Sequence, residues 1–418
     1  MTALRTVAAI RSRRGLVGLL TAEAVSLTGT RLSAIALPWF VLVSSGSATR
    51  TGLVAFCEMG PYVVAKAVTG PLVDRVGPRR VSILGDVASA ALVGAIPLLH
   101  AFGVLPLSVL LALVALLGTA RGPADSAKSA LIPDVVEAAQ VPLERATGLS
   151  GTIERLASTV GPAAAGAVVA VTGPLTALML DATSFAVAAV VIAATAPRHR
   201  AAEGAEESDG YVQQFRDGLA YLRTDRLLRT IVGMVGVTNL LDTAMFAVLL
   251  PVWARDSGRG PAEIGLVVAT MSGVAVGGSL LAAGFAHRLP RRTTYLLGYL
   301  VGGAPRFIVL AFGAPLWLVL AANAVAGAGL GFLNPILGAV IFERIPRPLI
   351  GRVNALIGSL SWAGIPFGGL VGGALVALVG LAPGLLVCGT VYFLVTTLPG
   401  LRREWREMDE ARLGSGPV

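Results

Sequence analysis

The chain reads as an all-α membrane protein, with twelve transmembrane helices in two pseudo-symmetric six-helix bundles. Three observations predict this: the composition, the recurrence of long apolar runs, and an internal repeat. The 418 residues are 55% hydrophobic and only 14% charged, with a mean hydropathy of +0.78. A soluble globular chain carries about 25% charged residues, so this one lacks the polar side chains to cover itself in water. A soluble enzyme, a disordered protein and a disulfide scaffold are excluded. A polytopic membrane protein remains.

Runs of about 20 apolar residues place spans near 16–43, 50–73, 81–100, 105–131, 146–171 and 174–196, then 228–253, 261–286, 293–313, 315–342, 353–379 and 382–400. Arg5, Arg11, Arg13 and Arg14 before the first run mimic a signal peptide. The apolar stretch nevertheless continues to Val43, far past a signal h-region, so an uncleaved first span is expected. The organisation follows: an N-terminal bundle over 1–196, a linker over 197–226, a C-terminal bundle over 227–400 and a tail over 401–418. Within the linker, Glu203, Glu206, Glu207 and Asp209 read as solvated. Tyr211, Phe215, Leu219 and Leu222 recur at helical spacing, which predicts an amphipathic helix lying on the membrane surface.

Basic residues concentrate in the loops on the side of the N-terminus, including Lys128 in a loop after span 4. The other side has only Arg50, Arg255 and Arg259. The positive-inside rule then predicts a cell-membrane protein with both termini cytoplasmic. Topology and anionic lipid account for the net charge of +9, so the bilayer is the expected partner and nucleic acid is not. Cys57 and Cys388 lie in apolar runs, and His100, His199 and His287 are scattered. No metal or cofactor is expected from them.

The repeat is the most informative feature. One register superimposes Pro38 on Pro251, Gly52-Leu53-Val54 on Gly265-Leu266-Val267, Gly60 on Gly273 and Arg75 on Arg288. A slightly shorter one pairs Arg145 with Arg352, and Gly161, Gly166 and Gly173 with Gly368, Gly373 and Gly380. Six spans separate the copies, so the repeat is parallel, and two such halves would rock about a midplane cavity.

Residues 70–80, GPLVDRVGPRR, resemble the G-x-L-x-D-R-x-G-R-R/K signature of the major facilitator superfamily, with Pro78 where a basic residue is usual. The resemblance implies a cytoplasmic gate built from Gly70, Asp74, Arg75, Gly77, Arg79 and Arg80, with Asp125 within reach. Gly70 and Gly77 permit a tight turn, and Asp74 can cap a neighbouring helix. The second copy has His287 at the aspartate position and keeps Arg288, Arg291 and Arg292. The antiporter pattern that exporters of the superfamily carry in span 5 maps onto Gly148, Ala157, Gly161, Pro162, Ala165 and Gly166. Small residues let backbones touch, and Pro162 bends the helix. The nearest resemblance is to the macrolide-efflux and enterobactin-exporter branch of the drug:proton antiporters.

Ionisable residues inside a membrane are functional candidates. Arg31, Asp242 and Arg306 fall near the midplane, Glu23 nearer the cytoplasm and Glu58 nearer the outside. By resemblance spans 1, 4, 7 and 10 line the cavity, so Glu23, Arg31 and Asp242 face it. Arg121 echoes part of a proton-transfer motif, and Asp125, one turn on, either neutralises it or reaches Arg75 and Arg79. Asp86, Glu154, Arg155 and Asp181 read as structural ion pairs, and Asn323 and Asn334 as substrate hydrogen-bonders or helix glue. Asp242 in one half is expected to face Arg31 in the other and, with Glu23, to rank ahead of Glu58 as proton carrier. GPADSAKS at 122–129 mimics a phosphate loop, but no strand precedes it.

The expected function is secondary active efflux of a small amphiphilic molecule (a drug, an antibiotic or a siderophore) by proton antiport, from a monomer without enzymatic activity. The alternatives are a proton symporter or facilitator importing a metabolite, or a transport-inactive receptor.

Overall fold

The computed structural model describes residues 13–197, 211–285, 289–346, 349–402 and 405. His287, Arg288, the acidic stretch of the linker and most of the tail lie outside them. Among the described residues there is no strand. Span 1 is Arg14–Ser45, span 2 Ala48–Val68, span 3 Pro78–Ala101 and span 4 Leu107–Ala139; span 5 is the pair Leu143–Thr159 and Gly161–Thr172, and span 6 Pro174–Thr195. Span 7 is Arg226–Asp256, span 8 Pro261–Phe285, span 9 Arg291–Ala311, span 10 Leu316–Arg344, span 11 Ile350–Val379 and span 12 Leu381–Gly400.

Ten of these are long and apolar enough to cross a bilayer unaided, and span 5 does so as a pair bent by 44° at Gly161-Pro162. Proline removes a helix hydrogen bond there, as its position in the sequence suggests. Span 2 is the least apolar because Glu58 and Lys66 sit within it. It is nonetheless packed between spans 4 and 11.

The connections show why the halves are copies. At the face opposite the termini, every hairpin turns on a glycine with positive φ: Gly46, Gly103 and Gly173 in the first half, and Gly258, Gly313 and Gly380 in the second. A side chain at such an angle is strained, so the same turn chemistry recurs at equivalent points. At the N-terminal end of the molecule, Asp225 caps span 7 by accepting from the Leu228 amide at 3.0 Å, a standard N-cap role.

Two seams join the halves toward the opposite face. In one, Gly52 of span 2 lies against the backbone of Gly369 and Gly373 of span 11. In the other, Gly265 of span 8 lies against Pro162 and Gly166 of span 5. Gly52 matches Gly265 and Gly166 matches Gly373 in the repeat, so the seams are symmetry copies. At each, a Cβ would strike facing backbone, which is the close approach small residues permit.

The helix Tyr211–Thr224 forms where the spacing places it, but its environment differs from the expectation. Leu222 is buried with Leu228 and Val232 of span 7 and with Val353, Leu356 and Ile357 of span 11. At Leu219 and Leu222 the apolar face is thus packed on protein, while the side chains of Tyr211 and Phe215 lie outside the described residues. Tyr221 also donates to the Arg344 carbonyl.

Candidate functional site

Between the halves lies a cavity of about 440 Å³. The two seams lie beyond it toward the opposite face. Span 1 contributes Thr30, Arg31, Ala34, Leu37 and Pro38, span 2 Glu58 and Met59, span 4 Arg121, and span 7 Asn239, Asp242, Thr243 and Phe246. Thr30, Arg31 and Arg121 also line an adjoining vestibule of about 350 Å³, together with Glu23, Tyr62, Lys66, Asp125, Lys128 and Glu154. Cavity and vestibule therefore adjoin at Thr30, Arg31 and Arg121, with the vestibule nearer the end that carries the termini.

The charges are arranged differently from the expected cross-half pair. Asp242 pairs with Arg306 of its own half. Arg306 is fully buried, with its guanidinium 5.1 Å from the rings of both Phe307 and Tyr392, contacts that favour a desolvated cation. Arg31 instead donates from Nη2 to Ser158 Oγ at 2.7 Å. Its stem packs on Gly161, where a Cβ would come within 2.8 Å of Arg31 Cγ. The correction has a plain cause: span 9 delivers a guanidinium to Asp242 from behind, while span 5 holds Arg31 on its own side. Both residues still face the same cavity.

Glu58 belongs to the set of residues expected at the cavity. It accepts from Arg121 Nη1 at 3.1 Å and lines the cavity. Asp125 lies 3.9 Å from Arg121 Nε and accepts from the Tyr62 hydroxyl at 3.1 Å, and Lys66 donates to that hydroxyl at 3.3 Å. Of its two expected partners Asp125 therefore takes Arg121, and it makes no bond to Arg75 or Arg79. Glu23 lines the vestibule and accepts from Ser150 Oγ at 2.7 Å.

The gate residues lie at the N-terminal end of the molecule. Gly70–Val76 is a short helix, and Gly77, at φ 91°, turns the chain into span 3. Asp74, Arg75 and Arg80 are exposed and make no hydrogen bond or ion pair with the described residues, while Arg79 donates to the Ala193 carbonyl. Along span 5, Ala157, Pro162 and Ala165 are buried, whereas Gly148 faces open space.

Other expectations are corrected. Asn323 is buried and donates to Val319 of its own helix at 2.8 Å. Among the described residues none of span 10 lines the cavity, whereas Glu58 and Met59 of span 2 do; the side chain of Asn334 lies outside the described residues. Asp86 does form a buried pair, with Lys128 at 2.8 Å, which places Lys128 inside the bundle and not in a loop. Asp181 makes no ion pair among the described residues; Ser33 and Ser184 hydroxyls satisfy it. Glu154 and Arg155 are exposed and unpaired among them.

Sequence reasoning missed Ser158, Asn239, Thr243, Tyr62 and both lysines of the vestibule. One signal was available: Lys66 and Lys128 are the only lysines in an arginine-rich chain. The described residues hold no group of histidine, cysteine and carboxylate side chains fit for a metal.

Comparison with known proteins agrees with this architecture. Multidrug efflux pump Tap of Mycobacterium tuberculosis is 34% identical over 377 residues, 87% of either chain. Macrolide efflux protein A of Streptococcus pyogenes is 21% identical over 391 residues, 93% of this chain and 95% of that protein. The crystal structure of the nucleoside transporter NupG superposes with a TM-score of 0.75 over 93% of this chain and 99% of its own, at 14% identity, which shows the shared fold. Residues 10–416 match the transmembrane secretion effector family, and with twelve spans, paired halves and a central cavity the chain belongs to that family of the major facilitator superfamily.

Proposed function

We propose that this chain exports a small amphiphilic molecule across the cell membrane by alternating access, in exchange for protons, with both termini in the cytoplasm. One observation carries the reading. A charged cavity lies between two symmetry-related halves, with two glycine seams toward one face and an adjoining polar vestibule toward the other. Rocking the halves would part the seams and close the vestibule, delivering the contents to the opposite side. Most of the arginine-rich loops belong to the vestibule side, which the positive-inside rule assigns to the cytoplasm. The names of the relatives, a multidrug efflux pump and a macrolide efflux protein, support export as the direction.

Coupling is assigned to the carboxylates of the cavity. Asp242 and Glu58 each pair with an arginine, and protonating either weakens that pair and shifts the balance between the two states. Asp125 and Glu23 in the vestibule are the route by which such protons would leave. The loop with Asp74 latches the vestibule side in the other state, which explains why Asp74 is free in this one.

The test is proton flux and substrate accumulation in everted vesicles against a panel of amphiphilic antibiotics and dyes. Wild type should accumulate substrate when the vesicle interior is acidic. Asp242→Asn, mimicking the protonated state, should abolish that accumulation while binding survives, with Glu58→Gln and Glu23→Gln run beside it. If all three mutants remain fully proton-coupled, the carboxylate assignment is wrong.

A further inference from the structure

Among the described residues that line the central cavity, Arg31 is the one cation that no carboxylate answers. Arg121 is matched by Glu58 at 3.1 Å and by Asp125 at 3.9 Å, and Asp242 is matched by Arg306. A guanidinium carries five N–H donors. The protein uses Arg31 for a single hydrogen bond, to the neutral Ser158 hydroxyl, and its Nε is buried with no partner. Its charged neighbours are Arg121, of like sign, and Glu154, an exposed vestibule residue beyond ion-pair distance.

This arrangement is built rather than incidental. Gly161 leaves the space that the Arg31 stem fills, and Ser158, one turn earlier on the same span, fixes one end of the guanidinium. The hydroxyl of neighbouring Thr30 is turned away, donating to the Ser26 carbonyl at 2.9 Å. Arg31 itself lines the cavity, with a single side-chain donor engaged by the described residues. Leu37, Val54, Met59, Phe246 and Ile365 give the same cavity an apolar lining. An unanswered cation at membrane depth is costly, and charge-assisted hydrogen bonds to an anion are among the strongest available to it.

We propose that Arg31 is the anion-binding point of the cavity, which takes amphiphiles bearing one acidic group, a carboxylate or a sulfonate, on an apolar body. The acidic group sits on the Arg31 guanidinium beside Ser158, and the body lies on the Phe246–Ile365 wall. The proposal names the substrate class of the export reading and rests on that reading for transport; binding itself does not depend on it.

The test uses a matched pair of dyes, 8-anilinonaphthalene-1-sulfonate and N-phenyl-1-naphthylamine, which differ only in the sulfonate. Affinities are measured by fluorescence for the full chain in nanodiscs, with empty discs subtracted. Wild type should prefer the sulfonate by tenfold or more. Arg31→Gln should bring that ratio close to one, and Arg31→Lys, which keeps the charge, should retain most of it. Equal affinities in wild type, or a ratio unchanged in Arg31→Gln, overturn the proposal. Efflux of both dyes from cells separates the two readings. Arg31-dependent binding without any efflux sinks the export reading alone, whereas efflux of both dyes that ignores Arg31→Gln sinks this one alone.

Discussion

Arg306 and Asp242 show what a buried ion pair does in this molecule. Arg306 has no exposed surface, so removing either partner leaves an uncompensated charge, at a typical cost of about 3–5 kcal/mol. Arg306→Met should therefore lower the melting temperature sharply, and adding Asp242→Leu should restore most of the loss while abolishing coupling. Thermal melts of the single and double variants in nanodiscs decide this; a single variant as stable as the double would remove the pair from the stability argument. Gly161 acts through another residue. With a Cβ already at 2.8 Å from Arg31 Cγ, Gly161→Leu must displace Arg31 or part spans 1 and 5, at about 1–3 kcal/mol. Coupled efflux should fall with it, and undiminished efflux would reduce Gly161 to ordinary packing.

Among the elements, the seams are the parts that must open and close. Spans 2 and 11 meet through Gly52, Gly369 and Gly373, and spans 5 and 8 through Pro162, Gly166 and Gly265. Since the seams are copies, Gly52→Leu and Gly265→Leu should have the same consequence: each wedges its seam and opens the cavity toward the face opposite the termini. Ala34→Cys, on the cavity wall, reports this in a background where Cys57 and Cys388 are serine. An impermeant maleimide applied from that side should label it faster in both variants. Acceleration in only one of them would mean that the seams do not act as a symmetric pair. Span 7 adds a local device, one π turn at Met245–Leu249 that follows Asp242 and carries Phe246 and Ala247 on the cavity wall. Such turns are frequent at functional sites.

For the whole molecule, the conformation described is one of two that alternating access requires. On the vestibule side, Lys66 Nζ of one half lies 5.2 Å from the Trp362 ring of the other. Asp74, Arg75 and Arg80 of the signature loop make no side-chain bond with the described residues in this state. Asp74→Asn should accordingly leave insertion and melting temperature unchanged and slow transport, because its cost falls on the conformation in which the loop closes. Wild-type turnover in a well-folded Asp74→Asn protein would end the latch assignment.

Composition, apolar run length and the repeat determined the spans, their order and the equivalence of the halves, because burial in lipid is imposed residue by residue along the chain. Gly166 was also legible as a contact residue, since only a missing side chain permits backbone contact, whereas Gly52 and Gly265 stood out only as partners in the repeat. Local chemistry likewise showed that Pro162 would bend span 5. Partner choice was not legible. That Asp242 meets Arg306 rather than Arg31, and that Asn323 turns onto its own helix, depend on the rotation of each helix about its axis. Rotation is set by packing against neighbours distant in sequence. Arg31 therefore appeared in the sequence as half of an ion pair, and only the tertiary structure left it facing the cavity without a carboxylate.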